Sequence, residues 1–213
     1  MALKTFLDNV ASSEPTPGGG SASALAGALS ASLISMVAGL SSKQRGMREI
    51  RRKSLAIQKR LFKAIDEDAK GYEEVLEAFR LPKHTERARA LRSKAIQRAF
   101  QKATVIPQLV CRLSLQLLDL CIVVIREGNP NAFSDAGVAA YLADTALKGG
   151  LLNIGINLGP VKDRSFRRKL YSLTGRLEKK RTQVMRGIEK ALDESKSKTA
   201  LTAQERSRPS PLT

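Results

Sequence analysis

Apolar residues recur at steps of three and four along most of the chain, and hardly anywhere at steps of two. Runs that could pass for strands, such as residues 121–125, sit inside longer helical periods. The pattern predicts a short helix over residues 3–10, then a loop in which Pro15 and Pro17 forbid helix. A helix over about 20–42 follows. The basic stretch 43–53 leads into a second long helix reaching about Phe79, and Leu81-Pro82-Lys83 breaks it. Thr85 caps a third helix running to about Thr104. Pro107 suits the first turn of a fourth, which runs to Arg126 and is ended by Gly128 with Asn129-Pro130. Ser134 and Asp135 open a fifth, which Gly149 and Gly150 are expected to loosen or bend. A charged helix covers about 165–193. The expectation is all-α: a bundle of six or seven helices forming one domain over residues 1–195, with a polar, basic, proline-bearing tail over 196–213 expected to be disordered.

Residues 15–42 organise the rest. These 28 residues carry no charge in a chain that is 27% charged. They open on Gly18, Gly19 and Gly20 and continue as Ala, Ser, Leu and Gly, with Leu25, Leu29, Leu33, Met36, Val37 and Leu40 as the large positions. A helix that is apolar or small on every side belongs at the centre of a bundle. The glycines place bare amides at its start, where an anion or polar ligand can sit. No Gly-Lys-Ser/Thr follows, so this is not a nucleotide P-loop. The stretch is long enough to cross a membrane. Its serines, the lack of a second span and the missing aromatic belt favour a buried helix of a soluble protein.

Charge narrows the partners. The net charge is +17 and the isoelectric point about 10.3. Lysines and arginines outnumber acids eight to one between Lys43 and Arg60, and again between Arg80 and Lys102. Such a balance fits nucleic acid, a polyanionic small molecule, an acidic protein or a membrane surface. Spread over several helices, it reads as solvated faces. Aromatic residues make up only 4% of the chain, which argues against a single-strand nucleic-acid binder. Cys111 and Cys121 lie about 15 Å apart along one helix, too far for a disulfide. Core thiols and the lack of a secretory pattern in the first ten residues point to the cytoplasm.

Candidate chemistry centres on Asp66-Glu67-Asp68. The apolar stripe of that helix is Leu61, Ile65, Ala69, Tyr72, Leu76 and Phe79. Asp68 falls within about 40° of the stripe's centre, and Asp66 and Glu67 lie over about 100° away. An inward carboxylate must be paired, hydrogen-bonded or functional. One of the many basic residues could pair with it. Ser134 and Asp135 form a second candidate, by default a helix cap. Asn153 and Asn157 share one face of an apolar run, and could read a polar heterocycle or hold backbone carbonyls. The only histidine, His84, lies in a turn and reads as exposed and non-catalytic. No metal-ligand spacing and no serine-histidine triad is present.

Three segments in order, 15–37 (PTPGGGSASALAGALSASLISMV), 65–83 (IDEDAKGYEEVLEAFRLPK) and 134–158 (SDAGVAAYLADTALKGGLLNIGINL), resemble the cyclodeaminase domain of formiminotransferase-cyclodeaminase. They equally resemble its stand-alone relative, bacterial methenyltetrahydrofolate cyclohydrolase. The resemblance spans about residues 1–195. It implies an all-helical fold assembling as a dimer or larger, and a tetrahydrofolate substrate with no further cofactor and no metal. Gly18, Gly19, Gly20 and Ser21 then match the loop lining the folate site, and the acidic segment supplies the catalytic group, Asp68 first and Asp66 second. Ser134, Asp135, Asn153 and Asn157 are carried as substrate-binding candidates. The implied activity is hydrolysis of 5,10-methenyltetrahydrofolate to 10-formyltetrahydrofolate. Formiminotetrahydrofolate cyclodeamination is the alternative, less natural without a formiminotransferase domain. A polyglutamylated folate would account for part of the positive charge. A basic helical nucleic-acid-binding protein and a non-catalytic scaffold are the competing readings from other classes.

Overall fold

The structure, a computed structural model, describes residues 2–206, with side chains described as far as residue 196. The described residues form seven α-helices, one 3-10 turn and no strand. The helices are α1 (Leu3–Val10), α2 (Gly19–Leu40), α3 (Met47–Arg80), α4 (Glu86–Ala103), α5 (Val105–Glu127), α6 (Phe133–Leu158) and α7 (Arg164–Arg206). The backbone of α7 is helical beyond Ser195. Residues 207–213, and the side chains of the expected tail from 197 on, lie outside the described residues. Thr85 caps α4 as its sequence suggests, its hydroxyl accepting from the Ala88 amide at 3.1 Å.

α2 is the hub, packed by α3 and α6 and more lightly by α5. Both main neighbours run antiparallel to it. Ser21 meets Ile65 and Asp68 of α3, and Gly27 meets Leu61. On the other side Gly19 lies by Asn153, Ser23 by Gly149 and Ser30 by Ala139 of α6. The small residues make this possible. Ala24, Gly27, Ala28, Ser30, Ala31 and Ala38 are buried, so neighbouring backbones come close. Several buried serine hydroxyls of α2 are satisfied by carbonyls, as in Ser30 donating to Ala139 O at 2.7 Å and Ser41 to Val37 O at 2.7 Å.

Three expectations change here. First, the large residues of α2 do not all face inward: Leu29, Met36 and Leu40 are 49%, 42% and 59% exposed. Close approach uses the small face, and the large residues are left on the uncovered side. Second, a further stretch within Glu86–Glu127 also has the length and apolarity of a membrane span, beside α2. In the fold about half of each is buried inside the bundle. Third, Gly149 and Gly150 do not bend α6, which is continuous from Phe133 to Leu158. They are contact points: a Cβ on Gly149 would collide with Ser23 Oγ, and one on Gly150 would lie 2.6 Å from Cys111 Sγ and 3.1 Å from the Pro107 carbonyl.

Cys111 and Cys121 are free and buried, and burial pushes the Cys111 thiol up to about 12. α7 is tied to α6 by Arg181, which donates to Asp144 at 2.5 Å and to Glu178 at 2.9 Å.

Two glycines of α6 therefore respond oppositely to alanine. At Gly150 the helix-propensity gain of about 1 kcal/mol is outweighed by overpacking, typically about 1–3 kcal/mol. Gly155 faces open space, so there the gain stands. Urea unfolding should place Gly150→Ala below the wild type and Gly155→Ala above it.

Candidate active site

A cleft of about 390 Å³ opens where the N-terminus of α2, the C-terminal turns of α3 and the last turns of α6 converge. That is within the range of about 300–1,000 Å³ typical of small-molecule sites. One wall is polar: Gly18, Gly19, Gly20, Asp68, Asn153 and Asn157. The rest of the lining is largely apolar or aromatic: Tyr72, Leu76 and Phe79 of α3, Phe100 of α4 and Ile156 of α6. Asp68, Tyr72, Leu76 and Phe79 come from one helix at steps of four, four and three. The periodicity that builds the core thus also lines the cleft. Phe79 is held edge-on to Phe100 at 6.1 Å and capped by the Arg92 guanidinium at 5.4 Å, which also donates to its carbonyl. Among the described residues no lysine or arginine lines the cleft.

Asp68 is the one carboxylate in the lining. Among the described residues no lysine or arginine forms an ion pair with it, so pairing with a basic neighbour does not explain its inward position. Its partners belong to the start of α2. The Ser21 hydroxyl lies 3.2 Å from Oδ2, and the Ser21 backbone amide also donates to the carboxylate. The first amides of a helix have no partner within it, and Gly18 offers no side-chain cap. Asp68 therefore caps α2 from another helix, at the positive end of the dipole. Gly20 makes this possible, because a Cβ there would overlap the carboxylate. Burial pushes the Asp68 carboxyl above the usual carboxylate range, and the two Ser21 donors offset only part of that rise. Desolvation without a counter-cation gives this direction.

Asn153 donates to Gly149 O at 2.8 Å and Asn157 to Ala103 O at 3.0 Å. Both amides thus hold backbone carbonyls and line the cleft as well. Among the described residues neither Oδ1 has a hydrogen-bond donor.

Other candidates lie elsewhere. Ser21 is fully buried beneath the cleft and does not line it; its hydroxyl also reaches Ile65 O at 2.9 Å. Asp66 is exposed on another side of α3, beside a small hollow bordered by Leu3, Phe6, Leu25 and Phe62, and does not join Asp68. Ser134 and Asp135 sit in the first turn of α6, about 28 Å along the helix from Asn153 at 1.5 Å per residue. They do not cap α6 either: the helix starts at Phe133, preceded by a 3-10 turn capped by Asn129. His84 is exposed. Among the described residues no cluster of metal-ligating side chains occurs. Phe100, Ile156 and Pro160 come to the cleft from separate helices and loops, and no local pattern marks them.

A wider hollow of about 560 Å³ lies between α6 and α7, lined mainly by apolar residues such as Leu151, Leu152, Leu158 and Tyr171. Its charged members, Lys148 and Glu178, are held in ion pairs with Asp144 and Arg181. The Asp68 cleft has the uncompensated carboxyl.

The formiminotransferase-cyclodeaminase family model matches residues 2–174. The methenyltetrahydrofolate cyclohydrolase of Methylorubrum extorquens is 37% identical over 82% of this chain and 88% of its own length. The formimidoyltransferase-cyclodeaminase of Mus musculus is 30% identical over 85% of this chain, which spans only 35% of that relative. Among solved structures, the formiminotetrahydrofolate cyclodeaminase of Thermotoga maritima superposes with a TM-score of 0.81 at 27% identity, covering 91% of this chain and 96% of the other.

The raised Asp68 carboxyl has a consequence for stability. Its proton is held more tightly in the folded chain than in the unfolded one. Its effect on stability is therefore most favourable below the ordinary carboxylate range and is lost as pH rises through the raised folded value. Asp68→Asn removes the titration and keeps an oxygen that can cap α2. Thermal melts should show the variant gaining on the wild type between about pH 4 and pH 8. A gap that does not change with pH would contradict the uncompensated carboxylate.

Proposed function

The chain belongs to the formiminotransferase-cyclodeaminase family and is an enzyme with a tetrahydrofolate substrate, and from that premise we propose that it is a methenyltetrahydrofolate cyclohydrolase. The Methylorubrum extorquens relative, 37% identical and matched over 88% of its own length, bears that name, while the Thermotoga maritima cyclodeaminase, 27% identical and matched over 96% of its length, supports the second activity. The observation that carries the chemistry is Asp68: a desolvated carboxyl, free of any basic partner, in a cleft lined by amides and aromatic rings.

The methenyl group bridges two nitrogens of the folate as an amidinium cation. A half-buried carboxylate lacking a counter-ion complements that charge. Asp68 takes a proton from water as the oxygen attacks the bridging carbon, giving a tetrahedral carbinolamine. The bond from that carbon to the ring nitrogen then breaks, and Asp68 returns its proton to the departing nitrogen. The carbinolamine hydroxyl gives up its proton to solvent and becomes the formyl carbonyl, leaving 10-formyltetrahydrofolate. One water is consumed and one proton released. A carboxyl held above its ordinary range suits both roles near neutral pH. The sequence of steps calls on no cofactor. Tyr72, Phe79 and Phe100 suit the flat rings of the substrate, and the Asn153 and Asn157 carbonyls suit its ring N–H donors.

The substrate we favour is polyglutamylated, because its tail is a polyanion that the basic helix faces beyond the cleft would attract. The uncharged face carrying Leu29, Met36 and Leu40 suits a second copy of a chain whose other faces repel one another, consistent with a homodimer. Free, buried cysteines suit a cytoplasmic setting. Cyclodeamination uses the same cyclised cation, formed by expelling ammonia, and remains the second activity to assay.

Asp68→Asn should keep the fold and lower turnover of methenyltetrahydrofolate, followed as loss of its near-ultraviolet absorbance, by about 10²–10⁴-fold. Asp66→Asn should leave turnover near that of the wild type. Ammonia release from formiminotetrahydrofolate, outpacing that hydrolysis, would move the assignment to cyclodeaminase. Added salt should raise KM more for a polyglutamylated than for a monoglutamylated substrate; equal sensitivity would contradict the tail contact.

A further inference from the structure

Ser21 is the closest polar neighbour of Asp68, yet it cannot touch a ligand: it is fully buried and lies outside the cleft lining. Its hydroxyl stands between two acceptors, 2.9 Å from the Ile65 carbonyl and 3.2 Å from Asp68 Oδ2. A serine hydroxyl has one proton, so it can donate to only one of them at a time. The choice follows the charge on Asp68. A carboxylate is the stronger acceptor, and charge-assisted hydrogen bonds are roughly twice as strong as neutral ones. The proton therefore turns to Asp68 when it is ionised and to Ile65 when it is not.

We propose that Ser21 is a positioning residue whose single hydroxyl follows the protonation state of Asp68, so that the carboxyl can act as base and then as acid while no heavy atom moves. This rests on the reading of Asp68 as the catalytic group.

The surroundings leave this task to Ser21. Among the described residues no lysine or arginine lines the cleft, and Tyr72 is the only other titratable residue in its lining. On α3 itself, Glu67 is paired with Arg60 and Lys63, while Asp66 and Lys70 are exposed. On α6 the neighbouring groups are the neutral amides Asn153 and Asn157. The Ser21 backbone amide also reaches the carboxylate, but a backbone N–H cannot turn away when Asp68 is neutral. The fixed amide and the rotating hydroxyl are thus complementary. Gly20, with no Cβ, lets the carboxylate come down onto both.

The test compares wild type with Ser21→Ala, Ser21→Cys and Ser21→Thr, all as the full chain. Two quantities are read: the pH profile of kcat/KM for methenyltetrahydrofolate, and the titration midpoint of Asp68 by carboxyl carbon NMR, which needs no turnover. Ser21→Ala and Ser21→Cys remove or weaken the donor that favours the ionised carboxyl. In both, the ascending limb and the Asp68 midpoint should move up by about one unit. Ser21→Thr keeps the hydroxyl and should keep both close to wild type. Cysteine fills the space that alanine leaves empty, so it still reports if the alanine variant does not fold.

An Asp68 midpoint within about 0.2 unit of wild type in the Cys variant would overturn the proposal, as would Thr and Cys shifting alike. If Asp68→Asn abolishes turnover while the serine variants leave both readouts in place, only the role of Ser21 fails. If Asp68→Asn turns over normally, the catalytic assignment itself fails, and the NMR midpoint still decides whether the hydroxyl tracks the carboxyl.

Discussion

The fold is built around one electrostatic contact, the carboxylate of Asp68 set against the open N-terminus of α2. A helix start presents unpaired amides and a partial positive charge. A buried carboxylate needs donors and a compensating charge. Each supplies part of what the other lacks, and neither is fully satisfied. Had a lysine or arginine closed the pair, Asp68 would be a structural ion. With only Ser21 and the helix end for partners, it is a carboxyl whose missing counter-ion a ligand can provide.

The features around it follow from the need to bring α2, α3 and α6 to one point. α2 is uncharged and rich in small residues because two long helices must lie against it. Gly20 has no side chain because the carboxylate occupies that space. The glycine pair in α6 also meets Ser23 and Cys111 at close range, which brings Asn153 to the mouth of α2. Among the described residues no lysine or arginine lines this cleft, the Arg92 guanidinium stacked on Phe79 being the basic group beside it. At physiological salt a surface charge acts over about 8 Å, so in the reading proposed here the local carboxylate, and not the net +17, selects what enters the cleft. The basic helix faces act farther out, where the anionic part of a bifunctional substrate would lie.

Much of this was legible in the chain itself. The three-and-four spacing gives the helices, and the same spacing turns Asp68 inward while sending Asp66 and Glu67 outward. The Thr85 cap, the break at Pro82 and the end of α5 at Gly128 are local signals, and local geometry honours them. The misreadings share a cause, for they concern what helices do to one another. Gly149 and Gly150 look like a bend because glycine weakens a helix, but in the fold they are contact points against Ser23 and Cys111. Ser134 and Asp135 look like a cap, yet Asn129 starts the helical run one turn earlier. Leu29, Met36 and Leu40 look like core because they are large, although the tight packing selects the small face. Ser21 sits in the matching motif but beneath the cleft, and Phe100 and Ile156 reach it only through tertiary structure.

The central claim is that the cationic one-carbon bridge binds against Asp68. A crystal structure of Asp68→Asn soaked with 5,10-methenyltetrahydrofolate tests it most directly, since the substrate should persist. The account predicts the bridging carbon in the cleft between α2, α3 and α6, within about 3.5 Å of the residue-68 side chain or one water away. Folate bound instead in the hollow between α6 and α7, or in this cleft with its bridge turned away from residue 68, would contradict it.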